Sequence, residues 1–336
     1  MRLSKPPIHM PLVCINFEGE PRHIGVELEM NGLSLDKLSA TVAEFLDLRV
    51  DRASRYQHIL YGDSAGPWVT ELDFRLLKEL GEKEQGHFEK DIENLLKLIS
   101  KPLVPHELIS PPITMQRLPE IQLLIEALRN AGAKGTSESV LNAFSMQLNP
   151  EVPSLEPHAI TAYLKAFLCL YDWLHAQSSI NMTRRLTTYV DPFPQKYILK
   201  VLADDYWPAT HQQLIEDYLR DNPTRNRALD MLPLFAHIDS ALVQRYTKDP
   251  LIAARPAFHY RLPDCEIHIP DWGVHLAWNG WLQVEALAND EARLRGCAND
   301  YLRFVKQPWW KRVLRPGKSR WVSRVEHRWT TDLDAN

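Results

Sequence analysis

Arg22-His23-Ile24-Gly25-Val26-Glu27-Leu28-Glu29-Met30 is the stretch on which the reading of this chain turns. Side chains of an extended strand alternate between faces, so Glu27 and Glu29 share one face with Gly25, while Val26, Leu28 and Met30 share the other. The apolar half asks for a core. The acidic half has two readings: a solvated face, or a close pair whose repulsion and lost hydration are offset by a cation or by hydrogen-bond donors. A divalent metal is the simplest such cation.

Working outward, Leu35, Leu38, Val42, Phe45 and Leu46 recur at helical spacing behind Ser34, a residue type that caps helices. Residues 56–61 and 68–72 flank the turn-rich Gly62-Asp63-Ser64-Ala65-Gly66-Pro67, which predicts a hairpin carrying Asp63, Glu71 and Asp73. A helix ending near Ser100 is expected next. A strand over 104–109 follows with Glu107 on it, closed by Pro111-Pro112, then a helix over 118–131 stopped by Gly132 and a strand over 143–148. Residues 158–176 predict the longest mid-chain helix.

Residues 187–248, punctuated by Pro192, Pro194, Pro208, Pro223 and Pro233, read as shorter helices. Strand character returns over 256–262 and 265–269, and a last long helix is expected over 284–305. Strands and helices without regular alternation predict an α+β fold around an antiparallel sheet. The segments expected are a first catalytic part over 1–180, a helical insertion over 181–250, the catalytic remainder over 251–308, and a basic, aromatic tail over 309–336.

With 336 residues, 45% of them hydrophobic, a sizeable core is available, and a net charge of -4 gives no global reason to bind nucleic acid or an anionic membrane. The tail, Trp309-Trp310-Lys311-Arg312 through Arg328-Trp329, interleaves bases and rings as single-strand binders do, but it is short and the whole chain is acidic. Packing of its tryptophans on the domain is the expectation. No run is long enough for a signal core or a membrane span, so a cytoplasmic location is expected. Cys14, Cys169, Cys265 and Cys297 are too scattered for a zinc knuckle or a disulfide framework.

Carboxylates thus fall at Glu27, Glu29, Asp63, Glu71, Asp73 and Glu107, nearly all on expected strands. If those strands are neighbours, one face of the sheet is an oxygen-rich basin suited to Mg²⁺ or Mn²⁺, which commonly share hard ligands with nucleotide phosphates. No Gly-rich phosphate loop is present.

Taken in order, Arg22-His23-Ile24-Gly25-Val26-Glu27-Leu28-Glu29, then Glu107-Leu108-Ile109-Ser110-Pro111-Pro112, then a strand ending Gln147-Leu148-Asn149, resemble the signature segments of the putative amidoligase family. That family belongs to the carboxylate-amine ligase superfamily, similar in its core to glutamate-cysteine ligase and glutamine synthetase. The resemblance spans roughly residues 20–285. It implies a curved antiparallel sheet of glutamine-synthetase-like type with packed helices and a helical insertion, binding ATP and Mg²⁺ or Mn²⁺.

By that resemblance Glu27 and Glu29 match the first-strand metal ligands, Glu107 the glutamate before Ser-Pro-Pro, and Asp73 the acid of the hairpin strand, with Glu71 its same-face neighbour. The later strand usually reads Gly-x-His-x-His. Here Gln147 and Asn149 stand at those positions, able to offer a carbonyl to metal or an amide to phosphate but not to transfer protons. Arg184 and Arg185 lie where the family often has arginine and are candidates for cofactor binding. Arg255 and Arg261 are candidates to clamp phosphate or the acid, and His259 is the local candidate base, ahead of His268 and His275.

The expected function is an ATP- and metal-dependent ligase that joins a small-molecule or peptide carboxylate to an amine through an acyl phosphate. The alternative is a decayed member of the fold acting as a binding or regulatory protein. Related synthetases assemble in rings or dimers, so a homo-oligomer is compatible with this reading.

Overall fold

In the computed structural model, which describes residues 7–73, 104–136, 144–178, 190–307, 313–315 and 318–333, the quoted stretch is strand β1 (His23–Met30). Its apolar face decides where the core lies. Ile24, Val26, Leu28 and Met30 are all at most 3% exposed, and each such side chain taken from water contributes roughly 1.5–3 kcal/mol.

Around β1 the chain adds β2 (Arg49–Asp51), β3 (Gln57–Tyr61), β4 (Trp68–Leu72), β5 (His106–Ile109), β6 (Ile113–Thr114), β7 (Met146–Pro150), β8 (Leu229–Asp230) and β9 (His259–Tyr260). Among the described residues these make one sheet in the order β2-β3-β4-β5-β1-β7-β9-β8, with β6 also on β1 and every pairing antiparallel. The α+β expectation holds. The segment expected as a helical insertion supplies β8, the sheet's last strand.

Helices cover the apolar face. In α1 (Leu35–Leu46), Ser34 Oγ accepts the Lys37 N–H at 3.2 Å, as the sequence predicts. Helix α2 (Leu118–Ala131) starts with Pro in its first turn and ends at Gly132, whose φ of 109° only glycine adopts without strain. The long α3 (Pro157–Gln177) is buried on most of its circumference because α7 (Val274–Ala288), α8 (Glu291–Val305) and α9 (Arg320–Arg328) all pack on it. Between α3 and α7 lie α4 (Gln195–Leu202), α5 (His211–Asp221) and α6 (Leu232–Tyr246). No described helix is long and apolar enough to cross a membrane.

Two expectations need correction. The single helix over 284–305 is two, because Asp290 caps α8 by accepting the Arg293 N–H, and its extended backbone cannot continue α7. Residues 265–269 form no strand: the chain turns at 267–268, and the carbonyls of Ile267, Pro270 and Trp272 curl around the Arg129 guanidinium. In the tail, Trp321 and Trp329 are buried and donate to Cys169 O and Asp300 Oδ2, while Trp309 and Trp310 lie outside the described residues. The helix expected to end near Ser100 also lies outside them.

The β3–β4 hairpin is tied to the start of α2 by one side chain. Both Asp63 oxygens accept from Arg117 at 2.8 Å, and Trp68 Nε1 and Ala65 N add donors at 2.9 and 2.8 Å. The Arg117 bonds hold the Asp63 carboxyl well below the usual carboxylate range. The folded chain therefore binds that proton more weakly than the unfolded one, whose carboxyl titrates near about 3.9. This stabilisation is present above that pH and is lost as pH falls below it. Urea unfolding at pH 6 and pH 3 should show Asp63→Asn losing less stability between the two than the parent chain, and equal losses would refute the linkage.

Candidate active site

The register of the sheet gathers the acidic residues into rows. Glu71 of β4 stands opposite Glu107 of β5, and Glu107 stands opposite Glu29 of β1, so three carboxylates from three neighbouring strands lie side by side. Opposed like charges on adjacent strands are destabilising, and such a row persists where other groups offset it. Gln57 Nε2 donates to Glu71 Oε2 at 2.6 Å, and Glu29 accepts from Ser145 N at 2.7 Å and from Gln147 Nε2 at 3.0 Å. Glu29 and Glu107 are 8% and 2% exposed.

One row over, Glu27 lies between Ile109 and Gln147, and Gly25 faces Asn149. Asn149 Nδ2 donates to Glu27 Oε1 at 3.0 Å. The two amides standing where the resemblance leads one to expect histidines thus do a definite job: each holds one of the Glu-x-Glu carboxylates. On its other side Asn149 Oδ1 accepts from Arg255 at 2.7 Å, which leaves that guanidinium 3.9 Å from Glu27 Oε1.

Above these rows is a cleft of about 340 Å³. Glu27, Glu71 and Glu107 line the sheet side, Arg225 and Arg255 bring positive charge, and Ile109, Pro233, Leu251 and Ala253 make an apolar wall. Asp230 and His259 complete it. Arg225 is steadied by Asp249 Oδ2 at 2.7 Å, and its own carbonyl accepts from Arg261. The Nε of Arg255 is buried with no hydrogen-bond partner, so this guanidinium has donor capacity left for an anion.

His259 is 3% exposed, with Nε2 2.7 Å from Gln147 Oε1 and Nδ1 3.3 Å from Asp230 Oδ2. An amide oxygen can only accept, so Nε2 carries a hydrogen and Nδ1 faces the carboxyl. Both ring nitrogens are therefore engaged, and the residue holds Gln147, which in turn holds Glu29. Burial pushes the Asp230 carboxyl up to about 6, against the pull of Arg261. The folded chain retains this proton where the unfolded chain has released it, so stability falls as pH rises from about 4 to 6. Asp230→Asn keeps an acceptor for Leu232 N, now 2.9 Å away, and should flatten that decline in unfolding free energy measured across pH 4–7. An unchanged slope would refute the assignment.

Of the residues expected from the sequence, the cleft brings together Glu27, Glu107, Arg255 and His259, with Glu29, Gln147 and Asn149 bonded to them or beside them. Asp73 follows β4, is 7% exposed, donates its N–H to Pro105 O, and does not line the cleft. Arg261 reaches the Arg225 loop rather than the cleft. His268 accepts from Gly135 N and His275 meets Gln122, both away from the site. Arg184 and Arg185 lie outside the described residues. Arg225 and Asp230 are additions that the sequence reading missed: a two-residue strand leaves no periodicity, and the Arg225 loop is positioned by Asp249 and Arg261, distant in sequence.

The donor set fits a nucleotide-linked cation. Among the described residues no three His, Cys, Asp or Glu side chains are gathered closely enough to cage a metal alone. Mg²⁺ does not need such a cage, because it takes one or two carboxylates and completes its shell with phosphate oxygens and water. Hard carboxylates beside two arginines are the matching surroundings.

Compared with known proteins, the chain matches one family model, described as putative amidoligase enzyme, over residues 20–283. No curated protein and no solved structure matches it.

Proposed function

Because the chain belongs to the amidoligase family, a family of ligases by its description, we propose that it joins a carboxylate to an amine at the expense of ATP, with Mg²⁺ or Mn²⁺ in the cleft. The observation that carries this reading is the meeting of opposite charges in one cleft: Glu27, Glu71 and Glu107 on the sheet, Arg225 and Arg255 across from them. Carboxylates alone would suit a cation and arginines alone an anion. Both together suit an anion that arrives with its metal, which is what a nucleotide triphosphate is.

Amide formation from a free acid is uphill in water. In the proposed reaction a carboxylate oxygen bonds to the γ-phosphorus as the bond to ADP breaks, and the amine then bonds to the acyl carbon as phosphate leaves, with one proton released overall. Glu27 and Glu107 would hold the cation, with Glu29 adding negative charge beside Glu107, and the cation would neutralise phosphate charge. Arg255 and Arg225 orient the anionic groups and offset charge that grows on them. Asn149 fixes the positions of Glu27 and Arg255 together, and the chain Asp230, His259, Gln147 fixes Glu29. The apolar wall of Ile109, Pro233, Leu251 and Ala253 gives a neutral part of a substrate a dry place to lie. The glutamine-synthetase-like kinship implied by the sequence resemblance belongs to this reading.

Calorimetric titration of ATP into the purified chain tests it. Binding is expected with Mg²⁺ or Mn²⁺ and not with a chelator, followed by phosphate release only when a suitable acid and amine are both supplied. Absence of nucleotide binding under every condition would overturn the reading and favour a binding or regulatory protein on the same fold.

A further inference from the structure

A second cavity, of about 380 Å³, lies on the opposite side of the sheet from the active cleft. Met146 and Tyr260 line it, and these residues alternate along β7 and β9 with Gln147, which pairs with Glu27, and with His259, which lines the cleft. Its other walls are the end of α3 at Leu174, the start of α7, and the loop over 263–272. The size is that of a site for a small organic molecule.

The walls are built. Arg129 donates to three carbonyls of the loop, those of Ile267, Pro270 and Trp272, at 2.6, 3.0 and 2.6 Å. Gly280 keeps the far side open, since a Cβ there would come within 3.1 Å of Leu174 Cδ2 and 3.7 Å of Tyr260 Oη. Trp272 supplies an aromatic face, and Ile269 and Leu276 leave 43% and 53% of their surface exposed at the cavity.

Its charge is one-sided. Asp264, Glu266 and Asp271 line the cavity, and among the described residues none that lines it is Lys or Arg. Glu266 is 6% exposed, and its Oε2 is buried with no hydrogen-bond partner. His268 Nε2 stands 3.8 Å from that oxygen, beyond hydrogen-bond distance, and His268 Nδ1 accepts the Gly135 N–H. A nearly buried carboxylate oxygen without a hydrogen-bond partner, in the wall of this cavity, costs free energy that a cationic donor would recover. Arg129 does not line the cavity, and its Nε, Nη1 and Nη2 each donate to a carbonyl of the loop.

We propose that this cavity binds an organic ammonium: an amine whose charged nitrogen reaches Glu266 and whose apolar or aromatic body lies against Trp272, Met146 and Leu276. A quadrupolar ring face and a carboxylate both favour the cation over a neutral or anionic isostere. The site is separate from the cleft in which acid and amine would be joined.

Phenethylamine is a suitable probe, with phenethyl alcohol and hydrocinnamate as the neutral and anionic bodies of the same shape. Titrated into the full chain by calorimetry, the amine should bind saturably, and the other two at least about tenfold more weakly, the loss that goes with one charge-assisted bond. Glu266→Gln should weaken the amine by a similar factor without lowering the melting temperature. Leu276→Arg, at an exposed position that tolerates a long side chain, should remove binding even if Glu266→Gln fails to fold. Glu27→Gln should leave amine affinity unchanged, which separates this cavity from the acidic cleft and from the fate of the ligase reading. Equal affinity for the alcohol, full affinity in Leu276→Arg, or loss of binding in Glu27→Gln would overturn the proposal.

Discussion

Glu27→Gln should bind ATP equally with Mg²⁺ and with a chelator, and should lose ligase turnover by more than about 100-fold, while melting like the parent chain. The substitution removes charge and little else. Gln keeps the length of Glu and an oxygen that can accept from Asn149 Nδ2, now 3.0 Å from Glu27 Oε1. The strand stays in register because β1 is pinned by β5 and β7 on either side and by its own apolar face. What disappears is a hard anionic oxygen in the cleft, and disturbing even the groups that support a metal ligand commonly costs 10–100-fold. Arg255, 3.9 Å from Glu27, then loses its acidic neighbour and can still attract phosphate. Residual ATP binding in the variant should therefore be metal-independent rather than absent. Metal-dependent affinity equal to that of the parent chain would remove Glu27 from the site.

How far the sequence carries can be judged at particular residues. β1 is legible because two carboxylates alternate with three buried aliphatics, a period that only a strand satisfies, and α1 and α2 are legible because Ser34 and Gly132 act through their nearest neighbours. The division of α7 from α8 is written locally as well: Asp290 three residues before Arg293 is a cap, masked by the apolar run on either side. The candidate site is legible in its first half for a simple reason. Glu29, Glu107 and Glu71 sit on strands, and antiparallel register turns alternation along each strand into a row across them.

The other half depends on contacts distant along the chain. Nothing near Arg225 announces that Asp249 and Arg261 will turn it into the cleft, and Asp230 lies on a two-residue strand. Gln147 and Asn149 illustrate the limit best. Their chemistry as amides is plain in the sequence, but only the pairing of Glu27 with Gln147 and of Gly25 with Asn149 turns that chemistry into support for Glu29 and Glu27.

Arg22→Met should destabilise the chain by about 3–5 kcal/mol, the usual cost of stranding a buried charge, which is a large share of the roughly 5–15 kcal/mol that holds most domains folded. Arg22 and Glu285 are both 0% exposed, and the guanidinium meets the carboxylate through two bonds, at 2.9 and 2.7 Å. The remaining donors go to Val13 O and Glu151 O, so one side chain joins the segment before β1, the end of β7 and α7. Without it Glu285 keeps only Trp281 Nε1 and Tyr163 Oη as donors, which satisfy lone pairs but do not cancel charge. Removing both charges is a different matter, because a buried pair exchanged for apolar groups is often close to neutral. The Arg22→Met, Glu285→Leu double variant should thus be more stable than the sum of the two single changes predicts, with a coupling of about 2 kcal/mol or more in chemical unfolding. Additive losses would mean that Arg22 acts through Val13 and Glu151 alone. Since Arg22 anchors the start of the strand that carries Glu27 and Glu29, nucleotide affinity in Arg22→Met should fall only in step with the folded fraction, a pattern opposite to that of Glu27→Gln.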